Sequence, residues 1–437
     1  MMSKYFFSVI ACVFFLAASS ADGYQLSFTP SVSISEEYND NIFLTSENEE
    51  DDFITTVSPG FVLEVTQREN GLSLAYTPGY SFYADHSEFN SWQHEAVLSA
   101  WLAAARNTRI EVEDAFLYTE DPAPETEILS PITEDPLIQG DPTVRRGREP
   151  YYTNTATARI VQQFGPSDSF YLQYAYTILR NDDPEVEDVD QHIPGMGMTY
   201  WFLPRWGLEL DGSVTINAPD ESDHFDEWHG RLTQRYRLDP QFEAFVQYEH
   251  TVVKYRDHAD AGSIDYQVFE PSLGITYNIQ NGLTLSLRLG YFKEDRDEGE
   301  NADGPSGDIA LTKTLRNGSI SLTGSAGQEN TVLNAENLGF TKFYETGIEV
   351  EYRLMRNLSG NLSTSYRNAK FEETDTNRED DIIEARVGLI YAVTPWLSTR
   401  LGYSYQTLDS TLPEDEYDEN RVLLQVTFTP RPYRWVK

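Results

Sequence analysis

The chain has 437 residues, of which 71 are acidic and 32 are basic, so its formal net charge is −39. A surface this acidic repels phosphate groups, which argues against nucleic acid as a partner. Aromatic residues make up 13% of the chain, too many for an intrinsically disordered protein. After the N-terminal segment, no apolar run approaches the 18 residues that a membrane-spanning helix needs.

The N-terminus has the pattern of a secretory signal peptide. Lys4 precedes an apolar run over residues 5–18, and the small residues Ser-Ser-Ala follow at 19–21. We predict a signal peptide over 1–21, cleaved after Ala21, and a single domain over 22–437. An anchoring helix is disfavoured because the apolar run is shorter than the ~20 residues of a membrane span. The one cysteine, Cys12, lies in this run, so neither a disulfide framework nor a thiolate metal site is expected in the mature chain. Lipidation of Cys12 is disfavoured because the apolar run continues past it.

The clearest pattern is a hairpin centred on Thr394 and Pro395. Apolar residues alternate with small or polar ones from 385 to 393, and the alternation resumes from 397 to 405. A period of two places successive side chains on opposite faces of a strand. This stretch therefore predicts two antiparallel strands, each with one apolar and aromatic face.

Similar tight turns recur along the chain, at intervals of 36 to 41 residues apart from one interval of 59. Asn and Pro suit such corners because Asn tolerates positive φ and Pro presets the turn. The central residues are Asn70, Asn107, Pro166, Pro204, Pro240, Asn281, Asn317, Asn357 and Pro395. Longer loops rich in Asp, Glu, Asn and Gly lie between them. Nine short turns alternating with ten long loops predict an all-β, antiparallel up-and-down outer-membrane β-barrel of 20 strands, with 18 as the nearest alternative.

Aromatic residues and prolines fall at regular heights above the predicted turns. Tyrosines recur about ten residues from the turns, and a second aromatic set stands beside the turns, as expected for the two girdles of a membrane barrel. Prolines recur near the upper row, at positions 59, 78, 194 and 271. Because proline removes a ladder hydrogen bond, we interpret these as kinks where strands leave the membrane.

The stretch Ser-Glu-Glu-Tyr-Asn-Asp-Asn-Ile-Phe at 35–43, Val-Ser-Pro-Gly-Phe at 57–61 and Leu-Ala-Tyr-Thr-Pro at 74–78 resemble the putative β-barrel porin family of type two. The resemblance is clearest over residues 24–105. That group overlaps outer-membrane barrels associated with exopolysaccharide and PEP-CTERM gene clusters. The resemblance implies a porin-like role in the Gram-negative outer membrane and a link to polysaccharide export. It supplies no catalytic residues.

Two sets of arginines are candidates for lining or constricting a pore. The long loop 119–150 is either extracellular or folded into the lumen, where it would present Arg145, Arg146 and Arg148 to an anionic solute. The alternative is a surface loop whose arginines offset its own acids. Rings of basic side chains facing the lumen would favour anions, whereas pairing with neighbouring acids such as Glu209 and Asp211 would stiffen the barrel. The inward-facing set comprises Arg159, Arg231, Arg235, Arg237, Arg288, Arg353, Arg367, Arg386 and Arg400.

The sequence carries no pattern that predicts an enzyme, a cofactor or a metal site. Its seven histidines are scattered, and there is no His-Glu-x-x-His, Gly-x-Ser-x-Gly or phosphate-binding loop. We expect a channel for polysaccharide export or for a hydrophilic solute, with a structural or adhesive surface barrel as the alternative. Expected partners are outer-membrane lipid and lipopolysaccharide, the barrel-assembly machinery and polysaccharide-export components.

Overall fold

The computed structural model describes residues 23–122, 148–184, 186–220, 222–256, 264–279, 282–331, 339–372 and 378–436. The predicted signal peptide, most of loop 119–150, and both Arg145 and Arg146 lie outside these ranges. No helix within them is long and apolar enough to cross a membrane.

The described residues form one antiparallel sheet and a single short 3₁₀ helix, Ser87–Phe89. The first ten strands are β1 (Gln25–Asn39), β2 (Asp52–Gln67), β3 (Asn70–Tyr83), β4 (Ser91–Ala105), β5 (Thr108–Thr119), β6 (Tyr151–Gln163), β7 (Ser169–Asn181), β8 (Val189–Leu203), β9 (Trp206–Pro219) and β10 (Phe225–Arg237). The remaining strands are β11 (Phe242–Tyr255), β12 (Tyr266–Ile279), β13 (Leu283–Arg296), β14 (Asp303–Thr314), β15 (Gly318–Thr331), β16 (Gly339–Met355), β17 (Leu358–Phe371), β18 (Glu379–Thr394), β19 (Leu397–Ser410), β20 (Tyr417–Phe428) and β21 (Tyr433–Val436).

The sheet closes on itself through its first and last strands. Each strand from β1 to β20 pairs with the next, and β20 pairs back with β1 over Val32–Asn39. The short β21 continues β20 along the same edge of β1, pairing with Gln25–Phe28 after a one-residue shift in register at Pro430–Pro432. Within the described ranges the barrel therefore has twenty strand positions, the last split in two. The prediction of 20 strands is confirmed, and 18 is wrong.

The short turns lie where the sequence predicts them. Seven of the nine predicted turn centres fall between two strands that pair as a hairpin, Asn70 is the first residue of β3, and Asn281 is outside the described residues. Small shifts in register precede several of these turns, as between Ala392 and Thr394 in β18. Such bulges add local twist at the rim of a barrel. The Thr394-Pro395 turn thus follows a strand end that is bent by a bulge.

The apolar faces of the strands point outward, and the small and polar faces point into the lumen. Large side chains on the outer surface are highly exposed, for example Val246 at 64% and Leu273 at 61%. Two exposed aromatic rows bracket this band. The row far from the turns includes Tyr174, Tyr248, Tyr291 and Tyr366, and the row beside the turns includes Phe164, Phe202, Trp206, Tyr352 and Trp396. The molecule therefore has the outer surface that a bilayer requires.

The prolines interrupt the ladder without changing its register. Paired residues in β2 and β3 stop at Val57 and Tyr80 and resume at Phe61 and Tyr76. In this unchanged register Pro59 stands directly opposite Pro78, so two missing N–H donors share one gap. Comparable gaps occur at Pro194 between β8 and β9, and at Pro271 between β12 and β13. Each of these three strand pairs thus has a local gap in its pairing near the aromatic row far from the turns, as the sequence predicts.

Candidate functional site

The inner wall of the barrel is the candidate functional surface. Because strand residues alternate faces, the neighbours of outward Val246, Leu273 and Leu289 point inward. Among these inward side chains are carboxylates and guanidiniums at mid-height on successive strands. They form ion-pair clusters between residues that are far apart in the sequence and meet on neighbouring strands.

One cluster is centred on Arg288 of β13. Its Nη1 lies 2.6 Å from Oε1 of Glu270 on β12, and its Nε lies 2.6 Å from Oδ2 of Asp308 on β14. Glu249 on β11 is a more distant partner, with its Oε1 3.9 Å from Nη1. One guanidinium therefore faces three carboxylates.

A second cluster spans β9 to β11. The guanidinium of Arg231 lies 3.1 Å from Asp211 and 3.4 Å from Glu209. Arg235 contacts Glu209 at 2.5 Å and Glu243 at 2.8 Å. Glu209 therefore bridges two arginines.

Arg237 extends this cluster toward the short turns. Its Nη2 is 3.5 Å from Glu243, and its guanidinium carbon lies 3.9 Å from the centre of the Trp201 ring. At the other edge, Arg159 of β6 stacks over Tyr171 at 4.3 Å. The hydroxyl of Tyr171 donates a 2.8 Å hydrogen bond to Asp211, so the network continues into β7.

The remaining candidate arginines lie on β16 to β19. Arg367 contacts both Glu329 and Glu345, the latter at 3.2 Å, and its guanidinium lies 4.5 Å from the centre of the Phe343 ring. Arg386 pairs with Glu384 of its own strand at 3.1 Å. By alternation with outward Tyr352 and Leu401, Arg353 and Arg400 also stand on the inner face of their strands. All nine predicted inward arginines thus project from the lumenal face.

The wall between β10 and β16 contains a recess of about 320 Å³. Glu227, Glu249, Glu270 and Glu329 contribute to its lining, together with Arg288. The same stretch of wall is covered toward the long loops by packed aromatic side chains. Phe340 of β16 lies 5.5 Å from Tyr266 of β12, ring centre to ring centre, and 6.2 Å from Phe292 of β13. The recess is therefore acidic and lies below an apolar layer at the extracellular end.

The first long loop, residues 40–51, folds against the inner wall. Leu44 is 3% exposed and packs with Ile382, Leu408 and Tyr417 of β18 to β20. Ile42 is fully buried against Ile54 and Tyr83 of β2 and β3. We refer to residues 40–51 as the inner loop, since both of its apolar anchors lie on the lumenal side of the barrel.

Polar contacts fix the inner loop in this position. The side-chain amide of Asn41 donates to the carbonyl oxygens of Thr45 at 2.8 Å and Asp418 at 3.0 Å. Asn39 donates to Glu419 at 2.9 Å. Leu44 adopts a φ of 52°, which is unfavourable for a non-glycine residue, and its apolar anchoring offsets that cost. The family-like stretch at 35–43 is thus the part of the chain that places the inner loop.

Arg148, a candidate for lining or constricting a pore, contacts the inner loop. It is 6% exposed. Its Nε donates to the carbonyl of Ile42 at 3.0 Å, and its Nη1 donates to the Tyr83 hydroxyl at 2.6 Å. Nearby, the guanidinium of Arg421 lies 3.1 Å from Asp121 at the other end of the long loop. Both ends of the long loop are therefore tied to the inner loop or its surroundings.

The sequence did not identify Arg421 or the inner loop as functional. Arg421 is almost completely buried and contacts Glu419 at 2.7 Å as well as Asp121. The stretch at 35–43 was a signal for this region. Its role could not be read from the sequence, because its partners come from the last strand.

On the extracellular side, His86 joins the inner loop to the β3–β4 loop. Its Nδ1 is 2.9 Å from Asp52, and its Nε2 is 2.6 Å from Glu50. The hydrogen bond with Asp52 raises the pKa of His86. The described residues contain no group of three or more His, Asp or Glu side chains positioned to hold a metal ion.

Comparisons with known proteins agree with this architecture. A family model described as "Putative beta-barrel porin 2" matches residues 25–146 and 208–429. No curated protein matches the chain.

Three of the solved structures that match this chain each align with more than nine-tenths of its length. OpdK from Pseudomonas aeruginosa is 13% identical, with a TM-score of 0.44 and coverage of 93% of this chain and 99% of OpdK. A BenF-like porin from Pseudomonas fluorescens Pf-5 is 14% identical, with a TM-score of 0.46 and the same coverage. OccAB4 from Acinetobacter baumannii is 11% identical, with a TM-score of 0.43, covering 94% and 99%. The fold rests on the strand pairing described above and the family on the matching model: this chain belongs to the Putative beta-barrel porin 2 family of Gram-negative outer-membrane β-barrels.

Proposed function

We propose that the protein is an outer-membrane channel for small hydrophilic solutes and that it favours cations over anions. The observation that carries this proposal is the surplus of carboxylates in two ion-pair clusters of the inner wall, whereas the cluster of Arg231, Arg235 and Arg237 has equal numbers of guanidiniums and carboxylates. Arg288 faces three carboxylates, and Arg367 faces two. Each of these clusters therefore contains more carboxylates than guanidiniums.

The pairing of the arginines argues against an anion pathway. A guanidinium that already contacts carboxylates offers less attraction to a passing anion than an unpaired one. The acidic recess beside Arg288 adds further negative potential to the wall. The family resemblance implies a link to polysaccharide export. This charge would oppose the passage of an acidic polysaccharide, so we favour a cationic or neutral solute.

The inner loop would narrow the pathway at its extracellular end. Twenty strands enclose a lumen of channel size, since 16- to 18-stranded porins already leave an aqueous passage. The inner loop lies against strands on both sides of the β1–β20 seam. We infer that it sets the width of the mouth and that the charged wall below it sets ion preference.

Planar-bilayer recording of the purified protein tests both parts. We expect discrete conductance steps and, under a KCl gradient, a reversal potential on the side that indicates K⁺ preference. Glu249→Gln should shift this potential toward zero, because it removes one surplus carboxylate while Glu270 and Asp308 still pair with Arg288. Glu47→Gln, in the exposed part of the inner loop, is the control and should change it less.

A barrel that carries no current at any voltage would contradict the proposed channel and favour a structural or adhesive role. A reversal potential indicating Cl⁻ preference would contradict only the cation preference.

A further inference from the structure

The short turns carry a set of exposed arginines that the proposed function does not use. Arg106 lies between β4 and β5, Arg205 between β8 and β9, Arg316 between β14 and β15, and Arg356 between β16 and β17. All four are exposed. We call this set the turn arginines.

Charge is distributed very unequally between the two ends of the barrel. The long loops are acidic: within the inner loop alone, Asp40, Glu47, Glu49, Glu50 and Asp51 carry negative charge. At the opposite end, the turn arginines are joined by Arg68 and Arg431. Among the described residues, no carboxylate forms an ion pair with the guanidinium of any turn arginine. Within the described ranges, the short turns also carry three acids, Glu69, Asp168 and Asp239, against these six arginines, so this end of the molecule is a net cationic rim on a strongly anionic protein.

The surroundings of the turn arginines show at what depth they lie. Leu203 and Trp206 flank the turn of Arg205 and are 53% and 41% exposed, and Met355, next to Arg356, is 64% exposed. These apolar side chains belong to the membrane-facing band. An arginine one or two residues beyond that band stands at the level of lipid headgroups, where Arg and aromatic side chains anchor membrane proteins.

We propose that the turn arginines bind the phosphates of anionic phospholipids in the inner leaflet of the outer membrane. Short turns of outer-membrane barrels face the periplasm, so the inner leaflet is the one they reach. Arginine is suited to this ligand because its planar guanidinium donates two parallel hydrogen bonds to phosphate oxygens. Anionic headgroups also attract basic residues that lie within a Debye length of the surface.

Tryptophan quenching in bilayers tests this proposal. The full mature chain is reconstituted into phosphatidylcholine bilayers that contain brominated phosphatidylglycerol or, separately, brominated phosphatidylcholine. Trp206 and Trp396, beside the short turns, report lipid in the proposed leaflet. We expect wild-type protein to be quenched several-fold more strongly by dilute brominated phosphatidylglycerol than by its neutral counterpart, and high salt to reduce the difference.

The decisive variant is R106Q/R205Q/R316Q/R356Q, in which the preference should fall to that of the neutral lipid. The matched quadruple Lys variant should keep most of it, since the charge is preserved. Neutralising four exposed acids at the other end, with E47Q/E49Q/E298Q/E414Q, should leave the preference unchanged. Heat-modifiable electrophoretic mobility checks that each variant is folded.

Equal quenching by the two lipids in wild-type protein would overturn the proposal, as would a Gln variant that keeps the preference. Binding of periplasmic peptidoglycan fragments without any lipid preference would also overturn it. Channel conductance is read separately, so failure of this inference is distinguishable from failure of the proposed function.

Discussion

At the scale of single residues, the outer tyrosines do more than mark the edge of the membrane. The hydroxyl of Tyr366 donates to Asp381 at 2.6 Å, that of Tyr405 to Asp418 at 3.0 Å, and that of Tyr403 to Asn420 at 2.7 Å. Each ring stays in the apolar band while its hydroxyl reaches a polar residue of a neighbouring strand. Hydrogen bonds from the tyrosines thus fix polar side chains close to where the acidic loops begin.

His86 gives the extracellular end a defined pH dependence. Its pKa is raised above the ordinary value by Asp52, so its stabilising contribution is fully present below about pH 6.5 and is lost as the pH rises through the raised value. We expect His86→Asn to lower the urea midpoint of the wild-type barrel more at pH 6 than at pH 9. An equal loss at both pH values would show that protonated His86 does not hold the inner loop.

Asp114 and Asn154 form a polar pair on the outward face of β5 and β6. They are linked by a 2.5 Å hydrogen bond, and Asp114 lies six residues beyond the start of β5 at Thr108, near the middle of a ~10-residue crossing. Asn154→Leu alone should destabilise the barrel by about 1–3 kcal/mol, because it removes a partner of Asp114 at this depth.

The double variant Asp114→Leu/Asn154→Leu should recover that loss or exceed wild-type stability, since apolar side chains suit the hydrocarbon level. Urea unfolding of the two single variants and the double variant measures the coupling. Additive effects would contradict the expected pairing.

At the scale of elements, the proposed channel depends most on the position of the inner loop. Ile42 and Leu44 are its apolar anchors, each worth about 1.5–3 kcal/mol of burial. Ile42→Ser/Leu44→Ser should release the loop, increase conductance and make the freed backbone at Glu49 and Glu50 easier to cleave by a glutamate-specific protease. Glu47→Gln is the matched control at an already exposed position. Unchanged conductance after cleavage would show that the loop does not narrow the mouth.

The strands and turns could be predicted from sequence because their rules are local. The alternation of apolar and polar residues shows which face of β18 or β19 is apolar. Asn or Pro marks the turn between two strands, so a turn such as Thr394-Pro395 can be predicted from its own residues. The sequence indicates that Asp211 and Glu209 are candidate partners of Arg231. It does not show which of the two is nearer, because that depends on the strand register. The inner loop could not be predicted, because its anchors on β18 to β20 are far away in sequence.

At the scale of the whole molecule, the seam between the first and last strands decides whether the barrel closes. β20 covers Val32–Asn39 of β1, and β21 covers Gln25–Phe28. Deleting residues 430–437 should leave the lower part of β1 as an unpaired edge, which is prone to mispairing. We expect a lower folded yield by heat-modifiable electrophoresis.

The variant Tyr433→Ala/Trp435→Ala keeps the backbone pairing and should fold better than the truncation. Equal yields for the two variants would instead assign the role of this segment to its aromatic side chains.

The contacts of the inner loop also determine when it can dock during assembly of the barrel. Asn39 reaches Glu419 and Asp40 reaches Asn420, contacts that join residues 380 positions apart. The loop belongs to the first hairpin of the barrel, yet these contacts cannot form until the last strand of the barrel has been inserted. In a partly assembled barrel the inner loop would therefore not be fixed in place. Its docking against the wall would show that the final strand has been inserted. The same few hydrogen bonds that hold the inner loop in the finished barrel would thus mark the end of assembly.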